Sequence, residues 1–154
     1  MTFDDLIARE SIRQTINNYN IAGDSRDAAL FLAQFAQDAI FEFKAFPPLP
    51  GFRHEGIAAI RSMTEQWVQF PVDDPAYRPV SFIRHNVTTS RIDLTRSDSA
   101  AARTYFFVIT DIGADHAGVY TDTLVRQGEH WLFAHRRITL DWRSADSIFP
   151  PVRR

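Results

Sequence analysis

The chain has 154 residues, 45% of them hydrophobic, with no cysteine and a formal net charge of −2. That length suits one domain with a sizeable core, the balanced charge excludes a basic nucleic-acid footprint, and the missing thiols exclude disulfides and thiolate catalysis. No apolar run reaches membrane-spanning length, and charges stand where a signal peptide needs an apolar stretch, so the expected location is the cytoplasm, away from any membrane.

The first helix is expected from Thr2 or Asp4 to about Ala22, with Leu6, Ile7, Ile12, Ile16 and Tyr19 along one stripe and Gly23 as its stop. Asp24 or Ser25 can then cap a second helix over Arg26 to Gln37, and capping is the ordinary use of an Asp in that position. A strand follows from Ala39 to Phe46, in which Phe41 and Phe43 alternate with Glu42 and Lys44. Pro47 to Gly51 reads as a stiff loop, Ile57 to Phe70 as a third helix carrying Trp67, and Pro71 to Pro79 as a second loop able to gate a cavity.

From Val80 onward the pattern is strands alone. The run Phe82 to Leu94 puts Ile83, His85, Val87 and Thr89 on one face, and its apolar positions then change parity, which implies a bulge near Thr89 to Arg91. Arg96 to Ser99 makes a hairpin. Ala101 to Ile112 is apolar on both faces, as in a central strand. Gly113 to His116 reads as the next turn, followed by strands Ala117 to Arg126 and Trp131 to Trp142. Helix, helix, strand, helix and four hairpin-linked strands make an α+β fold, a cone in which a strongly bent antiparallel sheet wraps N-terminal helices around an interior pocket. One domain is expected over 1–143, with an irregular tail over 144–154.

His85 is an ionisable ring set among core-forming neighbours, and Asp24 is the carboxylate this fold would bring to it. A lone histidine of this kind is otherwise a core residue satisfied by backbone or water. His130 and His135 point to opposite faces of one strand and make a poor metal pair, while His54 and His116 fall in expected loops, in solvent. Neither a glycine-rich phosphate loop nor a Gly-x-Ser-x-Gly elbow is present, so no metal or cofactor is expected.

The layout, the phrase Tyr19-Asn20-Ile21-Ala22-Gly23-Asp24-Ser25-Arg26-Asp27, the strand Arg84-His85-Asn86-Val87, and Gly118 to Asp122 through Trp131 to Arg136 resemble the SnoaL-like branch of the nuclear transport factor 2-like superfamily, which has a cystatin-like fold. Within it the chain is most similar to scytalone dehydratase, hexachlorocyclohexane dehydrochlorinase and bile acid 7α-dehydratase. The resemblance covers nearly the whole chain and implies a catalytic His at His85, its Asp at Asp24 and an assisting tyrosine at Tyr19. A further catalytic Asp of the bile acid enzyme falls near Val108, which cannot replace it.

A His–Asp pair suits a cofactor-independent lyase or isomerase, a dehydratase or dehydrohalogenase: neutral imidazole takes a proton from carbon, and the carboxylate fixes its tautomer. Phe41, Phe43, Trp67, Phe107 and Phe133 are the candidate lining for a small hydrophobic, cyclic substrate. Asp122 can reach the same pocket, or can pair across strands with Arg136 or Arg137. Two other readings remain: a non-catalytic binding protein, and a scaffolding subunit resembling the small subunit of ring-hydroxylating oxygenases. A homodimer or homotrimer is expected in each case, because a sheet face with Val125, Ile138, Leu140 and Trp142 needs cover.

Overall fold

The computed structural model describes residues 1–150; the end of the expected tail, 151–154, lies outside the described residues. Helix α1 spans Phe3–Ser25 and opens on a capping box, in which the Thr2 hydroxyl accepts from the Asp5 N–H and the Asp5 carboxylate accepts from the Thr2 N–H. Its buried apolar face starts only at Ile12 and runs through Ile16, Tyr19 and Ala22; Leu6 and Ile7, expected on the stripe, stand about half exposed (49% and 54%).

Helix α2 is one short turn, Ala28–Leu32, capped by the Asp27 carboxylate on the Leu30 N–H at 2.9 Å. The longer helix expected there is cut off because the chain enters the sheet at Phe35, where the Phe133 N–H already donates to the Gln34 carbonyl. The apolar spacing of Leu30, Phe31 and Phe35 belongs to an aromatic cluster built from both elements, with Phe31 and Phe35 rings 5.2 Å apart. Strand β1 covers Phe35–Phe43, β2 Phe52–Glu55 and α3 Ile57–Thr64. The sequence did not suggest β2, and α3 ends well before Trp67.

The remaining strands are β3 (Ile83–Leu94), β4 (Ser99–Thr110), β5 (Gly113–Gln127) and β6 (His130–Arg143). One six-stranded sheet has the order β2-β1-β6-β5-β4-β3, antiparallel except where β1 runs parallel to β6. Its register shifts between Val87 and Ser90 on β3, adjoining the expected bulge, and again between Val108 and Ile109, between Ala117 and Gly118, and between Thr123 and Leu124. Such interruptions bend long strands. Gly118 sits at one of them with the Thr139 carbonyl so close that an added Cβ would lie 2.1 Å from the oxygen.

Among the described residues, the helices and the core cover the concave side of this sheet. Along β4, Ala100, Ala102, Thr104, Phe106, Val108 and Thr110 are buried while Arg103, Tyr105 and Phe107 face out. Two expectations are thereby corrected. β4 is not apolar-packed on both faces, and Phe107, 40% exposed, follows the inward Phe106 by one residue and so points away from the interior. Outward apolar side chains include Tyr105, Phe107 and Trp142, whereas Leu140 is buried and Val125 and Ile138 pack against the core.

Between β5 and β6 the core holds an ion pair. Arg136 and Asp122 are fully buried and bonded through Nε and Nη2 to the two carboxylate oxygens, each at 2.8 Å. The guanidinium lies against the rings of Phe133, Tyr19 and Tyr120, 3.9–4.2 Å from their centroids. Asp122 is therefore spent on a cross-strand pair, and Phe133, wholly buried beneath the guanidinium, is core rather than pocket wall. Removing one member of such a pair strands the other charge, so Asp122→Ala is expected to cost about 3–5 kcal/mol, read as a drop in the urea midpoint.

Candidate active site

Asp24 reaches the site because α1 overruns its expected stop. The helix continues past Gly23 to Ser25, and Arg26 closes it in the left-handed region (φ 58°) with its N–H on the Ala22 carbonyl. Asp24 thus sits in the last helical turn, and Asp27, not Asp24 or Ser25, caps α2.

From there the carboxylate grips β3 with both oxygens. Oδ1 is 2.6 Å from Nδ1 of His85, and Oδ2 accepts the backbone N–H of the same residue at 2.9 Å. An ionised carboxylate at that distance makes Nδ1 the protonated nitrogen, so a neutral ring presents Nε2 as a lone pair. Nε2 has no partner among the described residues, and His85 lines a cavity of about 540 Å³. The pair is mostly shielded, with side-chain exposures of 17% for His85 and 9% for Asp24.

The cavity runs between the concave sheet, α1 and the segment after α3. Of the residues singled out in the sequence, Tyr19, His85, Phe41, Phe43 and Trp67 line it; Phe107, Phe133 and Asp122 do not. Phe31, Met63, Tyr77 and Phe106 add to a predominantly apolar wall. Burial pushes the Tyr19 phenol up to about 12, so it stays a protonated donor throughout the physiological range. Arg26 closes one side, stacked on Phe70 and Trp67 at 4.5 and 5.1 Å and donating to the carbonyls of Val68 and Gly23; burial lowers it to about 10. Among the described residues no group of three or more His, Cys, Asp or Glu is placed to hold a metal ion.

One functional group was not expected at all. His116, read as a solvated loop residue, is buried in β5 and lines the same cavity. The hairpin is tighter than the sequence suggested: Thr110 pairs with Gly113, whose φ of +87° favours glycine, so β5 begins before His116. In the register, Val108 faces His116 and Ile109 faces Ala114, leaving Asp115 as the extra residue of a bulge. The bulge lets consecutive residues both turn inward, and Asp115 Oδ1 meets Nδ1 of His116 at 2.7 Å. The carboxylate also accepts from the hydroxyls of Ser147 and Thr110 and the N–H of Ile148, at 2.6–3.0 Å. The period-two run Tyr120, Gly118, His116 was the available signal.

The cross-strand register aligns His85, Val108 and His116 on neighbouring strands. The imidazole centroids are 6.1 Å apart, and Phe149 stacks on His116 at 5.4 Å.

A six-stranded sheet curved around α1, with an apolar cavity on its concave side, defines a small α+β pocket protein of the cystatin-like fold. More narrowly, residues 4–137 match the family model described as a SnoaL-like domain, and the chain belongs to that family. Among solved structures, it is similar to a putative scytalone dehydratase from Novosphingobium aromaticivorans (21% identity, 94% of this chain and 91% of that one, TM-score 0.72). It is also similar to the LinA-type3 hexachlorocyclohexane dehydrochlorinase of Novosphingobium barchaimii (16% identity, 97% and 92%, TM-score 0.70). At these identities the likeness concerns the fold. No curated protein matches the sequence significantly.

The second pair makes the site acid-sensitive. Burial pulls His116 below its ordinary 6.5, outweighing the Asp115 bond that raises it, with the charge of His85 acting in the same downward direction. Burial alone would raise Asp115, but the bonds from His116, Ser147 and Ile148 hold it down to about 2. Both groups bind protons less readily folded than unfolded, so the stability they contribute is present at neutral pH. It is lost first as pH falls below about 6.5, and again between about 4 and 2. Thermal melts from pH 7.5 to 3 should therefore fall in both windows, and His116→Phe should flatten the upper one.

Proposed function

We propose that the protein is a cofactor-independent lyase or isomerase that starts its reaction by removing a proton from carbon. The observation that carries this reading is the two-oxygen hold of Asp24 on His85, with the unpartnered Nε2 turned to an apolar cavity. In the Michaelis complex His85 Nε2 takes the proton as general base. Asp24 keeps Nδ1 protonated and stabilises the imidazolium as it forms, the orienting role it would have in a hydrolase triad. Tyr19, which lines the cavity and whose phenol stays protonated, would donate to the carbonyl or leaving-group oxygen on which negative charge develops. Phe41, Phe43 and Trp67 would hold a hydrophobic ring system.

Elimination and isomerisation share this first step, and the family membership and the two enzyme folds it resembles favour that class of chemistry. The outward Tyr105, Phe107 and Trp142 suit self-association as a dimer or trimer.

Proton abstraction can be tested before the natural substrate is identified. A cyclic ketone such as 1-indanone exchanges its α-hydrogens with D2O, and the protein should accelerate that exchange, followed by NMR. His85→Ala should reduce the accelerated rate by about 10²–10⁴-fold, the usual worth of a positioned general base. An exchange rate that is the same with and without the imidazole would contradict the proposal.

A further inference from the structure

The geometry points to His116 Nε2 as the acceptor for a hydroxyl group of the ligand, so that the cavity selects hydroxylated aromatic or cyclic compounds. This rests on the reading of the cavity as the substrate site. It is carried by the second His–Asp pair, which that reading does not use.

Three observations combine. First, the Asp115 carboxylate is surrounded by donors from His116, Ser147, Thr110 and Ile148. It has nothing left to give except a fixed orientation for Nδ1–H, and a neutral His116 must then carry its lone pair on Nε2. Secondly, Nε2 has no partner among the described residues while the ring lines the cavity, so the acceptor opens onto the ligand space. Thirdly, burial keeps the imidazole below its ordinary value, which holds it in the accepting, uncharged form near neutral pH.

An acceptor of this kind in an apolar wall costs free energy when a ligand covers it without bonding it. A hydroxyl donor satisfies it; a hydrocarbon or an ether of the same shape leaves it stranded. Sites built to bond a substrate hydroxyl reject analogues that lack one far better than apolar pockets reject those that add one. The 6.1 Å between the two imidazole centroids separates the tasks: one ring faces the C–H bond to be broken while the other holds a hydroxyl elsewhere on the same ring system.

The test uses 1-naphthol and 1-methoxynaphthalene, which share a ring system and differ in the donor. By calorimetry, the wild-type chain should bind the naphthol about tenfold more tightly, the worth of one net hydrogen bond with its unsatisfied alternative. His116→Phe should bind the two compounds about equally, because the ring volume stays and the acceptor goes. A preference that survives in His116→Phe overturns the inference, as does a wild type that shows no preference or binds neither compound. In case the variant does not fold, a crystal structure of the wild-type complex decides alone. The naphthol oxygen within hydrogen-bonding distance of His116 Nε2 supports the assignment, and an oxygen placed on His85 or elsewhere refutes it. Both readouts concern binding, so a naphthol preference without deuterium exchange would sink the proposed reaction and leave this inference standing.

Discussion

The site depends on one carboxylate holding two atoms of one residue. Asp24 binds the His85 ring through Oδ1 and its backbone N–H through Oδ2, so the end of α1 and the start of β3 are fixed in rotation as well as distance. A single ring contact would leave the imidazole free to turn about the bond. The second contact removes that freedom and also satisfies a backbone donor that β3 would otherwise leave unpaired at the sheet edge, where it is the last strand. Charge-assisted bonds in a shielded setting are the strong ones, so this clamp fixes the strand and the ring together.

Sheet curvature supplies the rest. The bulges that bend β3, β4 and β5 carry residues of neighbouring strands over the cavity, so His85 and His116, which flank Val108 in the register, come to within 6.1 Å. Their carboxylates reach them by different routes, one from a helix sixty-one positions earlier in the chain and one from the adjacent residue turned inward by a bulge. The tail completes the wall: Ser147 and Ile148 bond Asp115 while Phe149 lies flat on His116. The ion pair of Asp122 and Arg136 stays behind Tyr19, bonded within itself and faced by aromatic rings, which keeps the cavity interior apolar.

What the sequence made legible was periodic. Four long strands, the first and last of their hairpins, the bulge in β3 and the facing of His85 follow from alternation and turn residues, and the resemblance to SnoaL-like proteins rested on short phrases within those elements. What it hid was where periodicity breaks. Gly23 reads as a helix stop, yet the left-handed turn falls at Arg26, and only that overrun carries Asp24 to His85. The helix expected over Arg26 to Gln37 runs too long because its apolar residues Phe31 and Phe35, which tertiary packing gathers from a helix and a strand into one aromatic cluster, share a helix-like spacing. Asp115 and His116 read as turn residues because a bulge, by bringing neighbours to one face, defeats the alternation used to find strands. Phe107 was misassigned because an apolar strand gives no sign of which face is inward.

The most direct test of the clamp is the 15N NMR spectrum of the histidine ring nitrogens in the wild-type protein and in Asp24→Asn. Neutral His85 is expected to carry its proton on Nδ1 with a bare Nε2, and the substitution to loosen this preference toward the mixture of an unrestrained imidazole. A wild-type His85 protonated on Nε2, with Nδ1 bare, would contradict it, since Asp24 would then not be the group that sets the tautomer.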